Sequence, residues 1–203
     1  MKRTLNFVIG LISCAVPAIA GTVMYGWEDG GTILGKYGNV LESNVGAPDP
    51  VYAGDRSLKL VDMSSTGPST PQAYVAWIVG LQDGDQVEGK FWRYDTTPGA
   101  SPSCRIWGHW NDDPNNVMGF NGSAGGNDDY GPGTGWDETS WIWNVSGGHT
   151  GLVIEARTYS TDGDTVWLDN LTVTAPAHAT IYVAPEPGSL GLLSLAALLI
   201  RQR

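Results

Sequence analysis

The sequence predicts an all-β fold, a two-sheet antiparallel β-sandwich of the jelly-roll kind, and three observations carry that expectation. The 203 residues include 28 glycines and 12 prolines, which punctuate the chain too often for long helices. No segment holds an apolar stripe at i, i+3, i+4 and i+7 for more than two turns. Short alternating or apolar runs sit instead between clusters of Gly, Pro, Asn and Asp, at the spacing of sandwich strands.

Strands are predicted over 22–27, 40–44, 57–61, 72–79, 86–94, 104–110, 139–145, 151–159 and 165–174. In 57–61 Leu58 and Leu60 share one face, with Ser57 and Lys59 opposite. In 151–159 Leu152, Ile154 and Ala156 alternate with Val153, Glu155 and Arg157, the pattern of a half-buried strand. The run 72–79 is apolar on both faces, which places Trp77 inside. Asp83-Gly84-Asp85 and Asp162-Gly163-Asp164 mark turns. Between strands, 111–137 reads as a long solvated loop carrying Asp112, Asp113, Asp128, Asp129 and Asp137.

Both ends read as addresses rather than fold. Lys2 and Arg3 precede an apolar stretch from Phe7 to Val16, and Ala18-Ile19-Ala20 is a small-x-small cleavage site. This is the plan of a secretory signal helix over 1–20. A second reading takes Leu11-Ile12-Ser13-Cys14 as a lipoprotein box with Cys14 lipidated. At the other end, Pro185-Glu186-Pro187 is followed by an apolar run from Leu190 to Ile200 and by Arg201-Gln202-Arg203. That tail, 185–203, resembles the PEP-CTERM sorting signal of exported bacterial proteins. The resemblance implies recognition by a membrane exosortase, and release to or attachment at the cell surface. As a short helix the apolar run covers ~16 Å, against a bilayer core of ~30 Å. A processed signal suits it better than a permanent transmembrane helix.

The expected plan is thus a signal peptide at 1–20, a sandwich domain at 21–176, a linker at 177–184 and the tail. Trimming the two ends takes the basic residues from 11 to 7 and the acidic ones from 21 to 20, leaving a body of net charge −13. Phosphate backbones and anionic lipid repel such a surface, so nucleic acid is excluded as a partner. Neutral glycans, cations and basic partners remain. With Cys14 removed, Cys104 has no intrachain partner for a disulfide.

Three stretches of the body bracket the domain: Tyr25-Gly26-Trp27-Glu28-Asp29-Gly30, Gly54-Asp55-Arg56-Ser57-Leu58-Lys59-Leu60, and Val166 to Val173 with Asp169-Asn170 at its centre. Together they resemble the opening, an early strand and the last strand of galactose-binding-like jelly rolls, which include many carbohydrate-binding modules. The resemblance implies a structural calcium where the first and last strands meet, with Glu28 and Asp169 as side-chain ligands and main-chain carbonyls near Arg56. Calcium takes six to eight oxygens, which suits such a set.

Nine tryptophans follow Ala20. Trp27, Trp77 and Trp167 are expected in the core. If Ile142 faces inward, Trp141 and Trp143 point outward together. Exposed indoles stack on the apolar faces of sugar rings while neighbouring polar groups bind hydroxyls. The candidate glycan platform is therefore Trp107, Trp110, Trp141 and Trp143, with Arg105 and His109 beside them and Arg93 and Asn111 nearby in sequence. Catalysis is not expected. Glycoside hydrolysis needs two carboxylates across the scissile bond, and Glu88, Glu155 and Asp169 are each the lone acid of a predicted strand. Two function classes follow: an exported, non-catalytic carbohydrate-binding protein, or a structural envelope or matrix protein whose tryptophans are core.

Overall fold

The computed structural model describes residues 21–64, 70–96, 104–129, 131–158 and 162–183. The expected signal helix, the sorting tail and its short apolar helix lie outside the described residues. Among the described residues no helix is long and apolar enough to cross a membrane.

Two antiparallel sheets of six strands form the domain. The first runs β3 (Val40–Gly46), β4 (Arg56–Asp62), β11 (Thr165–Ala175), β6 (Gln86–Asp95) and β9 (Gly135–Asn144), with β1 (Gly21–Tyr25) on β11 beside β4. The second runs β12 (Thr180–Val183), β5 (Gln72–Val79), β10 (Gly151–Arg157), β7 (Arg105–Trp110) and β8 (Ser123–Gly126), with β2 (Gly35–Tyr37) also on β5. Apart from β3–β4 and β7–β8, paired strands are not consecutive in the chain, as in a jelly roll. Each predicted strand is present. Three short ones, β2, β8 and β12, are additional, since three or four residues carry too little periodicity to be read. β12 lies within the expected linker at 177–184. It pairs with β5, and Ile181 and Val183 pack on the core, so the sandwich continues to Val183.

The core lies between the sheets. Leu58, Leu60, Val87, Phe91, Leu168 and Leu171 come from the first, and Val75, Ile78, Ile106, Leu152 and Ile154 from the second. A bulge keeps both ends of β11 in register with this layer. Asn170 adopts φ 49°, the ladder to β6 shifts between Asp169 and Thr172, and Leu168 and Leu171 both turn inward.

The expected outward pair Trp141 and Trp143 is corrected. β9 pairs with β6 so that Trp143 stands opposite Val87, Ile142 opposite Glu88 and Trp141 opposite Gly89. Val87 faces the core, so Trp143 does too and is 2% exposed, whereas Ile142 points to solvent at 52%. Two glycines make the room. A Cβ on Gly108 of β7 would lie 3.0 Å from Trp143 Nε1, and one on Gly89 of β6 would lie 3.1 Å from its Cζ3. The indole fills that gap and donates to the Gly125 carbonyl at 3.0 Å. Trp141 shares the inward face but lies on the edge strand and stays 40% exposed.

Trp77 also differs from expectation. It stands on the outer face of the second sheet, half-buried beside Tyr182 of β12 with ring centroids 5.3 Å apart. Trp27 is in the core as expected, whereas Trp167 is buried on the outer face of the first sheet. On the outer face of the first sheet, Trp167, Tyr94 and Trp136 form one cross-strand row. The segment between β3 and β4 lies against it: Tyr52 stacks on Trp92 at 4.1 Å, and Asp49 accepts from Trp167 Nε1 at 3.0 Å. These rings anchor that segment.

Candidate functional site

The outer face of the second sheet is built by strand alternation and then covered. On β10, Leu152, Ile154 and Ala156 enter the core, so Val153, Glu155 and Arg157 point outward. Yet Val153 and Glu155 are fully buried. The segment 111–122, between β7 and β8, folds back across them. This part of the expected solvated loop is tied down at several points. Asn111 Nδ2 donates to the carbonyls of Asn116 and Val117 at 2.9 and 3.1 Å. Asp112 accepts from Thr150 N at 2.8 Å, from His149 Nδ1 at 3.2 Å and from the Asn121 amide. Burial acts to raise the Asp112 carboxyl, but these hydrogen bonds outweigh it and hold the group below the usual carboxylate range. Across the face the segment reaches β2, where a Cβ on Gly35 would lie 2.6 Å from Met118 Sδ.

Between this segment and the sheet lies a cleft of about 570 Å³, lined by Tyr37, Gln72, Tyr74, Met118, Phe120, Ser123 and Arg157. Cross-strand register assembles it from residues far apart in the chain. Tyr37, Gln72, Arg157 and Arg105 form one rung over β2, β5, β10 and β7. Tyr74, Glu155 and Trp107 form the next, and His109 lies opposite Ser123. Phe120 and Tyr37 leave 72% and 64% of their surface exposed at the rim. Such large apolar areas on one cavity are the feature that marks a binding surface.

Beneath the rim is a polar network. Arg157 donates to Glu155 Oε2 from Nε at 3.1 Å and from one terminal nitrogen at 2.8 Å. The other carboxylate oxygen, Oε1, lies 2.6 Å from His109 Nδ1, and His109 Nε2 donates to the Gly119 carbonyl at 3.1 Å. Both ring nitrogens face oxygen atoms, so the ring ties the buried Glu155 carboxylate to the Gly119 carbonyl. With its amide oriented to match, Gln72 donates to Glu155 Oε1 at 3.2 Å and accepts from Arg157 at 3.1 Å. Burial, and then the Glu155 charge, push the Tyr74 phenol up to about 12, so it stays a neutral donor. His109 thereby links the floor to the segment that carries Phe120, and their rings are 5.5 Å apart.

The residues expected to form one glycan platform are dispersed. Arg105, Trp107 and His109 alternate along the outer face of β7 and border or underlie the cleft. The guanidinium carbons of Arg105 and Arg157 lie 4.3 and 4.8 Å from the Trp107 ring centroid, and its Nε1 donates to Ser123 Oγ at 2.9 Å. Trp110 points the other way, packs on the core and stacks on His149 at 4.7 Å. Trp141 lies on the far edge of the other sheet, and Trp143 is core. Arg93 is buried, ion-paired with Asp137 at 2.8 Å and donating to the Cys104 and Asp129 carbonyls. Burial raises the Cys104 thiol to about 12, which leaves it unreactive. The sequence reading missed Tyr37, Gln72, Tyr74, Met118, Phe120, Ser123 and Arg157. A lone Phe120 among Asn and Gly was the one available signal.

Glu28 and Asp169 do meet at one corner. Asp169 Oδ2 accepts from Tyr52 N and Ala53 N at 2.9 and 3.0 Å, and Glu28 accepts from Asp55 N and Arg56 N at 3.1 and 3.2 Å. Gly26 lies between them: a Cβ there would be 3.6 Å from Asp169 Oδ1 and 3.9 Å from Asn170 Oδ1. Burial raises the Asp169 carboxyl above its ordinary range. Hydrogen bonds from the backbone amides counter this, and the nearby Glu28 charge adds to the rise. Among the described residues these two carboxylates are met by backbone amides and not by a cationic side chain. A hard cation suits an oxygen donor set of this kind. Among the described residues no cluster of three or more His, Cys, Asp or Glu adds to it.

No protein-family model matches the chain, and no curated protein matches it in sequence. Solved structures do resemble it. The family 22 carbohydrate-binding and GH10 modules of Clostridium thermocellum xylanase 10B, complexed with xylohexaose, match at TM-score 0.50 and 15% identity, over 80% of this chain and 30% of that one. The xylan-binding CBM22-1 domain of Paenibacillus barcinonensis matches at TM-score 0.49 and 14% identity, over 80% of this chain and 98% of that one. A family 35 carbohydrate-binding module of Clostridium thermocellum matches at TM-score 0.38 and 20% identity, over 75% and 97%. At these identities the likeness is one of fold: this chain is an all-β jelly-roll sandwich of the architecture found in carbohydrate-binding modules.

Proposed function

We propose that the protein is an exported, non-catalytic carbohydrate-binding protein, with the cleft on the second sheet as its glycan site. One observation carries this reading: Tyr37 and Phe120 hold exposed aromatic rings at the rim of a cavity whose floor presents Gln72, Ser123 and Arg157. Aromatic faces take the apolar side of a sugar ring, and the polar floor takes its hydroxyls. The residues lining the cleft include no carboxylate among those described, which supports binding rather than glycoside hydrolysis. The N-terminal sequence read as a signal peptide and the tail that resembles a PEP-CTERM signal support export and exosortase sorting to the cell surface. Affinity electrophoresis against a panel of soluble polysaccharides tests the glycan reading. Retardation by at least one polysaccharide is expected, with about tenfold weaker binding for the Tyr37→Ala, Phe120→Ala double variant. Retardation by none favours the structural envelope or matrix protein, and equal retardation of the double variant would place the binding surface outside this cleft.

The corner formed by Glu28 and Asp169 supports a structural calcium, with Asn170 Oδ1 and main-chain carbonyls supplementing the two carboxylates. A bound cation would neutralise the repulsion that Glu28 adds at Asp169 and tie the β11 bulge to the segment at Tyr52 and Ala53. Excess calcium is expected to raise the melting temperature by several degrees through mass action on the folded state. Asp169→Asn should remove that response. An unchanged melting curve between calcium and excess chelator would count against the site.

A further inference from the structure

We propose that β9 is a self-association edge: it pairs antiparallel with β9 of a second copy and joins two six-stranded sheets into one. The other edges of the sandwich are protected. β1, β2, β8 and β12 have only three to five residues, and edges that short offer little to pair with. β3 is longer but is covered by the chain from Trp27 to Lys36. Lys36 Nζ donates to the Val40 carbonyl at 3.0 Å and to Glu42 at 2.8 Å, and Asn44 Nδ2 donates to the Trp27 and Gly31 carbonyls at 2.7 and 2.8 Å. β9 has none of these devices. It is ten residues long, follows β6 without a bulge and carries neither Lys nor Pro. Among the described residues no strand pairs with its outer side.

Backbone alternation fixes which groups that edge offers. Val145 N donates to the Asp85 carbonyl at 2.9 Å, and the Val145 carbonyl accepts from Gly84 N at 2.9 Å, so Val145 faces the β6 side. Trp143, Trp141 and Thr139 then face β6 as well, and Asn144, Ile142, Ser140 and Glu138 turn their N–H and C=O groups outward. The Ser140 carbonyl agrees with this: the Asn127 amide approaches it from outside at 3.4 Å, a long contact that a strand N–H would readily replace. The side chains suit pairing too. Thr139 to Asn144 is six residues without a charge in a chain of net charge −10, and Trp141 and Ile142 within it are 40% and 52% exposed. Such a window of β-branched and aromatic residues without Pro is the kind that pairs edge to edge. Charge then selects the register. With the two-fold axis at Trp141, Ser140 lies opposite Ile142 and Glu138 opposite Asn144, so no carboxylate meets another. The two Trp141 side chains meet at a position without hydrogen bonds, where opposed side chains come closest. An axis at Glu138 would set that acid against itself. A self-complementary edge of this kind is what a two-fold dimer requires.

Sedimentation velocity of the full chain tests this. One strand pairing is a small interface, so a dissociation constant on the order of 10–100 μM is expected, read over a concentration series spanning that range. Copies of like net charge repel, so added salt should tighten the dimer, the reverse of an association carried by opposite charges. Ser140→Pro removes one outward N–H, which an edge strand tolerates, and should weaken the dimer at least tenfold. Ile142→Lys should do the same by placing a charge on the edge, and it carries the test if proline disturbs the fold. Melting curves taken well below the dissociation constant separate lost pairing from lost fold. In a Cys14→Ser background, Trp141→Cys should form an intermolecular disulfide under mild oxidation, because the opposed Cα atoms would lie about 4.5 Å apart. Cys104 is buried and stays silent. A monomer throughout the series, association that both edge variants retain, or no cross-link at position 141 overturns the proposal.

Discussion

Trp143→Ala is expected to destabilise the domain by about 3–5 kcal/mol, the cost of removing a large aromatic side chain from a packed core. For a domain of this size each kcal/mol moves the melting temperature by roughly 2–4 °C, so a fall on the order of 10 °C is predicted. The physical basis is the gap between Gly89 of its own sheet and Gly108 of the facing sheet, which the indole fills. Without it, Ile106, Leu152 and Ile154 border a void, and the Gly125 carbonyl on edge strand β8 loses its donor. Thermal and urea melts measure the effect. The companion substitution Gly108→Ala should also destabilise, by about 1–3 kcal/mol, because its Cβ would press on Leu152 and Trp143. Combined with Trp143→Ala, the added methyl group enters the void instead, so the two losses should not add. A melting curve for Trp143→Ala within 2 °C of the wild type's, or strict additivity in the double variant, would show that the indole does not fill this space.

The second large effect concerns the floor of the cleft. Glu155→Gln keeps the size of the side chain but removes the charge that faces Arg157 and His109. Breaking a buried ion pair by altering one member costs about 3–5 kcal/mol, because the partner charge stays behind unmatched. Arg157 is partly solvated, with 15% of its side chain exposed, so the lower end of that range is expected. The loss also reaches the ligand. His109 connects Glu155 to the Gly119 carbonyl, and Gly119 precedes Phe120, so weaker anchoring of the segment should reduce glycan binding as well as stability. The predicted signature is a fall in both melting temperature and affinity. A Glu155→Gln protein as stable as the wild type would mean that this network is not a structural anchor.

How far the chain declared these features depends on the kind of pattern involved. In 57–61 and 151–157 apolar and polar residues alternate cleanly, so both the strand and its buried face are readable. In Trp141-Ile142-Trp143 either face is apolar, and periodicity has no preference. The register with β6 settles it, by placing Trp143 opposite Val87 and over the two glycines. Glu28 and Asp169 were named together from sequence because each belongs to an extended stretch with recognisable neighbours. The cleft had no such stretch. Its residues come from β2, β5, β8, β10 and the segment 111–122, one or two from each. His109 and Arg105 were picked out for their chemistry and do belong to this face, but their partners Glu155 and Arg157 lie about fifty residues on, across a strand pairing.

What the sequence by itself determined is the class of object: a sandwich of short strands, an acidic body unsuited to phosphate backbones, and a pair of acids at the junction of early and late strands. The first two follow from local periodicity and summed composition, which neighbouring residues carry without reference to the rest of the chain. The third is what the resemblance of three stretches to galactose-binding-like jelly rolls implies. Tertiary structure alone decided which tryptophans are core, that β12 completes the second sheet, and where the cleft opens. Each of these depends on register between strands far apart in sequence. A shift of one residue in such a pairing exchanges the two faces of a strand, and a single sequence does not record that choice.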